Sequence, residues 1–184
     1  MPGGTQDKHL EHAKQAIKND QPYIRDAPFY HSISVSAYRN KDNPNYKDAV
    51  EKFRVFLQES ISKWLLTLSR VRYKADGKDL VIHNYGLQDK LEVQQDIVGP
   101  DGFITQTNPQ KELNAVLGSN DINEIDKVYN WITGKNFYLY RVNKAQDTER
   151  VVRFNSSTYG TDLDCDRGPG YSCGALAVRA QKIR

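Results

Sequence analysis

The residues best able to do chemistry lie near the carboxyl end, in Thr161-Asp162-Leu163-Asp164-Cys165-Asp166. On a strand, alternate residues share a face, so the three carboxylates would project together. Hard cations want several oxygens, which makes calcium conceivable here, although no Gly-turn-Glu pattern of a calcium loop follows. Cys165 and Cys173 could bridge a loop over Gly168-Pro169-Gly170, or stand as independent thiols. Two cysteines are too few for a four-cysteine zinc site or a disulfide-dense scaffold.

The remaining motifs are plainer. His9 and His12 share a helical face, a spacing compatible with metal ligation, but no HExxH-type motif accompanies them. They read as part of a solvated polar arm. His83, in Asp79–Tyr85, reads as a satisfied core or surface histidine, since no nucleophile signature stands near any serine. There is no GxGxxG, P-loop or CxxC. Arg70, Arg72, Lys74 and Lys78 read as a solvated helix end at the negative pole of the macrodipole rather than a phosphate site. These motifs assign no catalytic residue, no metal site and no cofactor.

Elements must position such residues. Residues 1–28 are polar and read as an arm or short helix. Phe29 to Ala37 alternates, with His31, Ile33, Val35 and Ala37 on one side, which predicts a half-buried strand. Asn43-Pro44 offers a cap and a first-turn proline, and Val50, Phe53, Phe56, Leu57, Ile61, Trp64, Leu65 and Leu68 follow at helical spacing. That predicts a main helix over about 44–69. Ala75-Asp76-Gly77 reads as a turn. Strands are expected over 79–85 and 91–98, with a tight turn at Gly99-Pro100-Asp101-Gly102. A short helix is expected over 112–117 and a second over 122–132, the latter capped by Asp121 with Glu124 and stopped by Gly134. Strands follow over 136–142, 149–154 and 175–180. Helices early and strands late make an α+β chain.

Composition bounds the rest. The 184 residues are 38% hydrophobic and 27% charged, in the range of one globular domain with at most a small appendage. A net charge of +3 speaks against a dedicated nucleic-acid binder. The longest apolar run is Trp64-Leu65-Leu66, so no membrane insertion is expected, and no secretory signal is visible at the start. A virion-associated or cytoplasmic location is the expectation.

The most informative stretch is 153–180, RFNSSTYGTDLDCDRGPGYSCGALAVRA. It holds no Lys, Glu, Gln, Met or Trp, types that supply 36 of the 184 residues. Independence gives such a gap odds of about two in a thousand. Tyrosine, serine, glycine and asparagine with little lysine or glutamate is the composition of a paratope; an ordinary Gly/Ser-rich loop between strands is the plain alternative.

The ending RVVRFNSSTYG…LDCDRGPGYSCGALAVRA resembles the last part of C-type-lectin-fold proteins. More specifically, it is similar to the variable proteins of diversity-generating retroelements. Arg150-Val151-Val152-Arg153 matches the first strand of that pattern, Asp166-Arg167-Gly168-Pro169 the loop, and Gly174-Ala175-Leu176-Ala177-Val178-Arg179 the closing strand. Phe154-Asn155-Ser156-Ser157 stands where the family has Gly-Gly-Ser-Trp. The likeness covers about the last 45 residues. In that family template adenines are mutated, mostly in Asn codons, and the products exclude the five absent residue types.

The resemblance implies a C-type-lectin-like domain over 29–184, with an N-terminal strand and two helices before a strand-rich half. Its diversified segment would be about 153–180. Asn155, Ser156, Ser157, Thr158, Tyr159, Thr161, Asp162, Asp164, Asp166, Tyr171 and Ser172 would face outward and bind a protein or cell-surface ligand. Leu163, Leu176, Ala177 and Val178 would face inward. Tyr159 and Tyr171 are the expected anchors, and the aspartates would favour a basic partner. The first 28 residues could attach the domain to a larger assembly. Alternatives of other classes are an enzyme of the formylglycine-generating type using Cys165 and Cys173, a calcium-dependent lectin, and a plain interaction domain.

Overall fold

The computed structural model describes residues 3–178, as six helices and seven strands in one mixed sheet. Helix α1 spans Gln6–Lys18, α2 Ala27–Arg39 and α3 Lys47–Ser62. Strands β1 (Leu65–Tyr73), β2 (Leu80–His83), β3 (Leu91–Gln94) and β4 (Gly102–Phe103) follow. After α4 (Ile104–Thr107), α5 (Gln110–Leu117) and α6 (Ile122–Thr133) come β5 (Phe137–Tyr140), β6 (Thr148–Ser156) and β7 (Thr161–Arg167). The sheet order is β3-β2-β1-β6-β7-β5-β4, and only the β5–β7 pair is parallel.

Two expectations fail early in the chain. Residues 29–37 are helical, not extended. Asp26 caps α2 by accepting from the Phe29 N–H at 3.0 Å, and Pro28 sits in the first turn. The face that α2 buries is Ala27, Tyr30, His31, Ser34 and Ala37, a 3.6-residue stripe written partly in polar letters. The second failure is the helix expected over 44–69. It begins only at Lys47, because Pro44 and Asn45 lie in a turn, and it ends at Ser62. Trp64 takes a left-handed φ of 62°, and the chain leaves it as β1. This strand is buried on both faces: Leu65, Val71 and Tyr73 point to one cluster, Leu66 and Leu68 to another. A strand covered on both sides loses the alternation that marks a half-exposed one.

The main core lies between the sheet and α2, α3, α5 and α6. Tyr129 of α6 stacks on Phe137 and Phe154, with ring centroids 4.3 and 5.4 Å apart. On the other face α1 covers β1. Gln6, His9, Leu10 and Ala13 are buried, and Gln6 Nε2 donates to Thr67 O at 2.7 Å and Ser69 O at 3.0 Å. The inner face of α1 and Ile24 therefore pack against the sheet, and the 28/29 boundary falls inside α2. The basic run is reassigned with it: Arg70 is buried in β1, paired to Asp7 and Glu149, under the Tyr85 ring. His9 is buried too, 3.1 Å from Cys173 O, and burial lowers its pKa. His83 is a satisfied core histidine, with Nδ1 2.9 Å from Ser69 Oγ and Nε2 2.8 Å from Ala115 O.

The expected strand 91–98 is paired only over 91–94. Over 175–178 the expected closing strand makes only isolated bridges, Ala175 beside Leu66 and Val178 beside Tyr23; Arg179 and Ala180 lie outside the described residues. Gly4 pairs with Cys173 in the same way, so the segment before α1 meets residues 173–175 next to Leu66 of β1. No helix among the described residues is long and apolar enough to cross a membrane.

Candidate functional site

Strand parity sorts the segment that begins at Arg153. In β7, Leu163 and Cys165 point into the helix-covered core, so Asp162, Asp164 and Asp166 share the opposite face. Register extends this row sideways. Asp162 stands opposite Asn155 of β6 and beside Tyr138 of β5; Asp164 stands opposite Arg153 and beside Tyr140. Tyr138 and Tyr140 alternate with buried Phe137 and Leu139 in FYLY, which puts their rings on the carboxylate face. Helix α1 packs on β1, and none of its residues lines the space in front of the carboxylates.

The result is an open cleft of about 490 Å³. Eight of the eleven expected residues line it: Asn155, Ser156, Ser157, Thr158, Tyr159, Asp162, Asp164 and Asp166. Ser62, Trp64, Tyr140 and Arg167 complete the wall. Tyr159 is 73% exposed, and Thr158 and Asp166 are exposed with it. Tyr171 and Ser172 are exposed but sit outside the cleft; Arg167 links Tyr171 to its rim, with Cζ 5.7 Å from the ring centroid.

The floor is a buried ion pair. Arg153 donates from Nε and Nη2 to Asp164 Oδ2 at 3.1 and 2.8 Å. Its Nη1 reaches Cys173 Sγ at 3.0 Å, and its guanidinium lies 3.9 Å from the Trp64 ring centroid. The left-handed turn at Trp64 thus places an indole over the cation, a favourable cation–π geometry. Asp166 faces Arg150 at 3.5 Å. Asp164 and Asp166 therefore meet arginines of their own chain, and the expectation that the aspartates select a basic partner loses two of its three charges.

Asp162 differs. It accepts from Ser157 Oγ at 3.1 Å and Asn155 Nδ2 at 3.2 Å. Burial pushes its pKa up to about 6, opposed by those two hydrogen bonds; Asp164 adds to the rise and Lys135 counters it. Ser157 Oγ in turn accepts the Tyr159 and Gly160 amides at 3.2 and 3.3 Å. Lys135 Nζ donates to Ser157 O. The turn also needs its glycine: a Cβ on Gly160 would lie 2.7 Å from Asn136 O.

Four expected site residues are not outward-facing. Thr161 is fully buried on the helix side, bonded to Thr133 Oγ1 and Lys135 O, because an odd position in β7 points away from the aspartates. Asn155, Asp162 and Asp164 border the cleft, but they are buried in its floor. Leu163 and Leu176 are buried as expected, while Ala177 and Val178 are only half-buried. Cys165 and Cys173 are both free. They belong to the clusters on opposite faces of the sheet, so no bridge joins them. No group of three or more His, Cys, Asp or Glu able to hold a metal occurs among the described residues. Sequence reasoning missed Trp64, Tyr140, Arg153 and Arg167; FYLY alternation carried the signal for Tyr140, and nothing local carried it for Trp64. No protein-family model, curated protein or solved structure matches the chain.

Proposed function

We propose that the chain is a non-enzymatic binding protein of C-type-lectin-like fold, whose cleft face is a hypervariable surface diversified by a retroelement. The observation that carries this reading is the parity of 153–178. Eight of its expected polar residues line one open cleft, while Leu163, Cys165 and Leu176 anchor the same stretch in the core. A rigid sheet with exposed, loosely bonded side chains at Thr158, Tyr159, Tyr171 and Ser172 tolerates substitution, since surface changes usually cost within about 0.5 kcal/mol. Tyrosines there offer rigid amphipathic area at low entropic cost.

The ligand is a protein or cell-surface molecule that meets Tyr159 and Tyr171 at the rim and fills the cleft between them and Trp64. The formylglycine-type alternative is disfavoured because its two thiols are buried on opposite sides of the sheet. The lectin alternative is disfavoured because Asp164 and Asp166 are engaged by arginines.

Sequencing the DNA that flanks the gene tests the proposal. A near-identical repeat of the segment encoding 153–180, differing at adenines, beside a reverse-transcriptase gene is the expected result. Absence of both contradicts diversification.

A further inference from the structure

We infer that Asp162 is the positioning residue of the cleft: through Ser157 it fixes the turn that presents Tyr159. The inference rests on the proposed function only in giving Tyr159 a binding role; the relay itself stands on geometry.

Tyr159 is the most exposed of the large hydrophobic and aromatic side chains among the described residues, on a tight turn between β6 and β7. An exposed aromatic serves recognition well only if its backbone is already ordered. Four bonds do the ordering. Asp162 Oδ1 accepts a hydrogen bond from the Ser157 hydroxyl, which leaves the Ser157 oxygen lone pairs to accept from the Tyr159 and Gly160 amides. Ser157 N donates to Gly160 O at 3.0 Å and closes the turn. Asn155 holds the other carboxylate oxygen, so Asp162 cannot swing away.

This divides the segment into two classes. Asn155, Ser157, Gly160 and Asp162 are framework, and so is Asp164 through Arg153. Thr158, Tyr159, Asp166, Tyr171 and Ser172 are free to change. A carboxylate accepts more strongly than a neutral carboxyl, so the order of the turn depends on Asp162 being ionised. The charged or titratable groups facing Asp162 are Asp164 on its own strand, Arg153 on β6, Lys135 ahead of β5, Tyr138 and Tyr140 on β5, and Tyr159 in the turn.

Amide hydrogen exchange on the full chain tests this, read as protection factors at Tyr159 and Gly160 from about pH 7.5 down to about pH 5. In the wild type, protection at these two amides should fall by about fivefold across that range, while the β6–β7 ladder keeps its protection. Asp162→Asn offers Ser157 only a neutral acceptor, so it should hold protection near the wild type's low-pH level, with a flat pH profile. Ser157→Ala should lose protection at both amides at every pH with the ladder intact. A flat wild-type profile, or Ser157→Ala with unchanged protection, overturns the inference. So does an Asp162→Asn profile that still follows the wild type. All three readouts are independent of any ligand, so they stand or fall separately from the flanking-DNA test.

Discussion

Arg153 and Asp164 face each other across the β6–β7 pair with Nη2 and Oδ2 2.8 Å apart, each side chain about 95% removed from solvent. Desolvation makes such a pair a poor source of net stability, but losing one partner strands the other charge. Asp164→Ala should therefore destabilise the protein by about 3 kcal/mol, measured by urea unfolding. Replacing Arg153 and Asp164 together with Met and Leu should recover much of that loss. A single substitution within 1 kcal/mol of the wild type, on the order of a surface pair, would show that the ion pair is hydrated in solution.

The two thiols should behave as core residues. Burial pushes the Cys165 thiol pKa well up, and Cys173 is 5% exposed. Native protein should resist alkylation at both positions, and both should react in denaturant. The thermal midpoint should be unchanged by reductant. A reductant-sensitive midpoint would mean that the two sheet faces are not separated as described.

His31 gives the helix layer an acid sensitivity. It is buried, stacked on Tyr129 at 5.9 Å, and its pKa is pushed down to about 4 by burial, with Glu124 opposing. The folded state then binds fewer protons than the unfolded chain between the ordinary value of 6.5 and about 4. Stability from this group is present above that window and is lost as pH falls through it. His31→Phe should remove about 2 kcal/mol of the stability change across that window, read from urea unfolding at its two ends. Asp162 acts in the reverse sense: its raised pKa favours the folded state at low pH and that contribution fades as pH rises towards 6. An unchanged pH dependence in His31→Phe would place the sensitivity elsewhere.

How much was legible in the sequence follows from which residues carry the pattern. The α6 helix was readable because Asp121, Glu124 and Gly134 punctuate an apolar stripe. Strands β5 and β6 are readable from β-branched and aromatic runs; β7 has no such run and its extended form is only a supposition from sequence, but its three aspartates share a face as their spacing implies on a strand. The α2 helix is hidden because its buried face is written in the polar letters Tyr30, His31 and Ser34: the Tyr30 hydroxyl donates to Leu176 O, His31 stacks on Tyr129, and Ser34 bonds back to Tyr30 O within the helix. Strand β1 was misread because a strand buried on both sides has no alternation, and Leu65 and Leu68 happened to continue the period of α3. The site residues were found as a segment, but their division into floor and rim was not. That division depends on register, which Thr161 illustrates: one position from Asp162, it points into the opposite side of the sheet.

The most direct measurement is a display library randomised at Thr158, Tyr159, Asp166, Tyr171 and Ser172, with Asn155, Ser157, Gly160, Asp162 and Asp164 kept. If these five positions are interchangeable contacts on a stiff sheet, most members keep a thermal midpoint within about 5 °C of the parent, and selection on an unrelated protein target returns binders. Widespread loss of folding, or no binder enriched over the parent chain, would contradict the binding-surface reading.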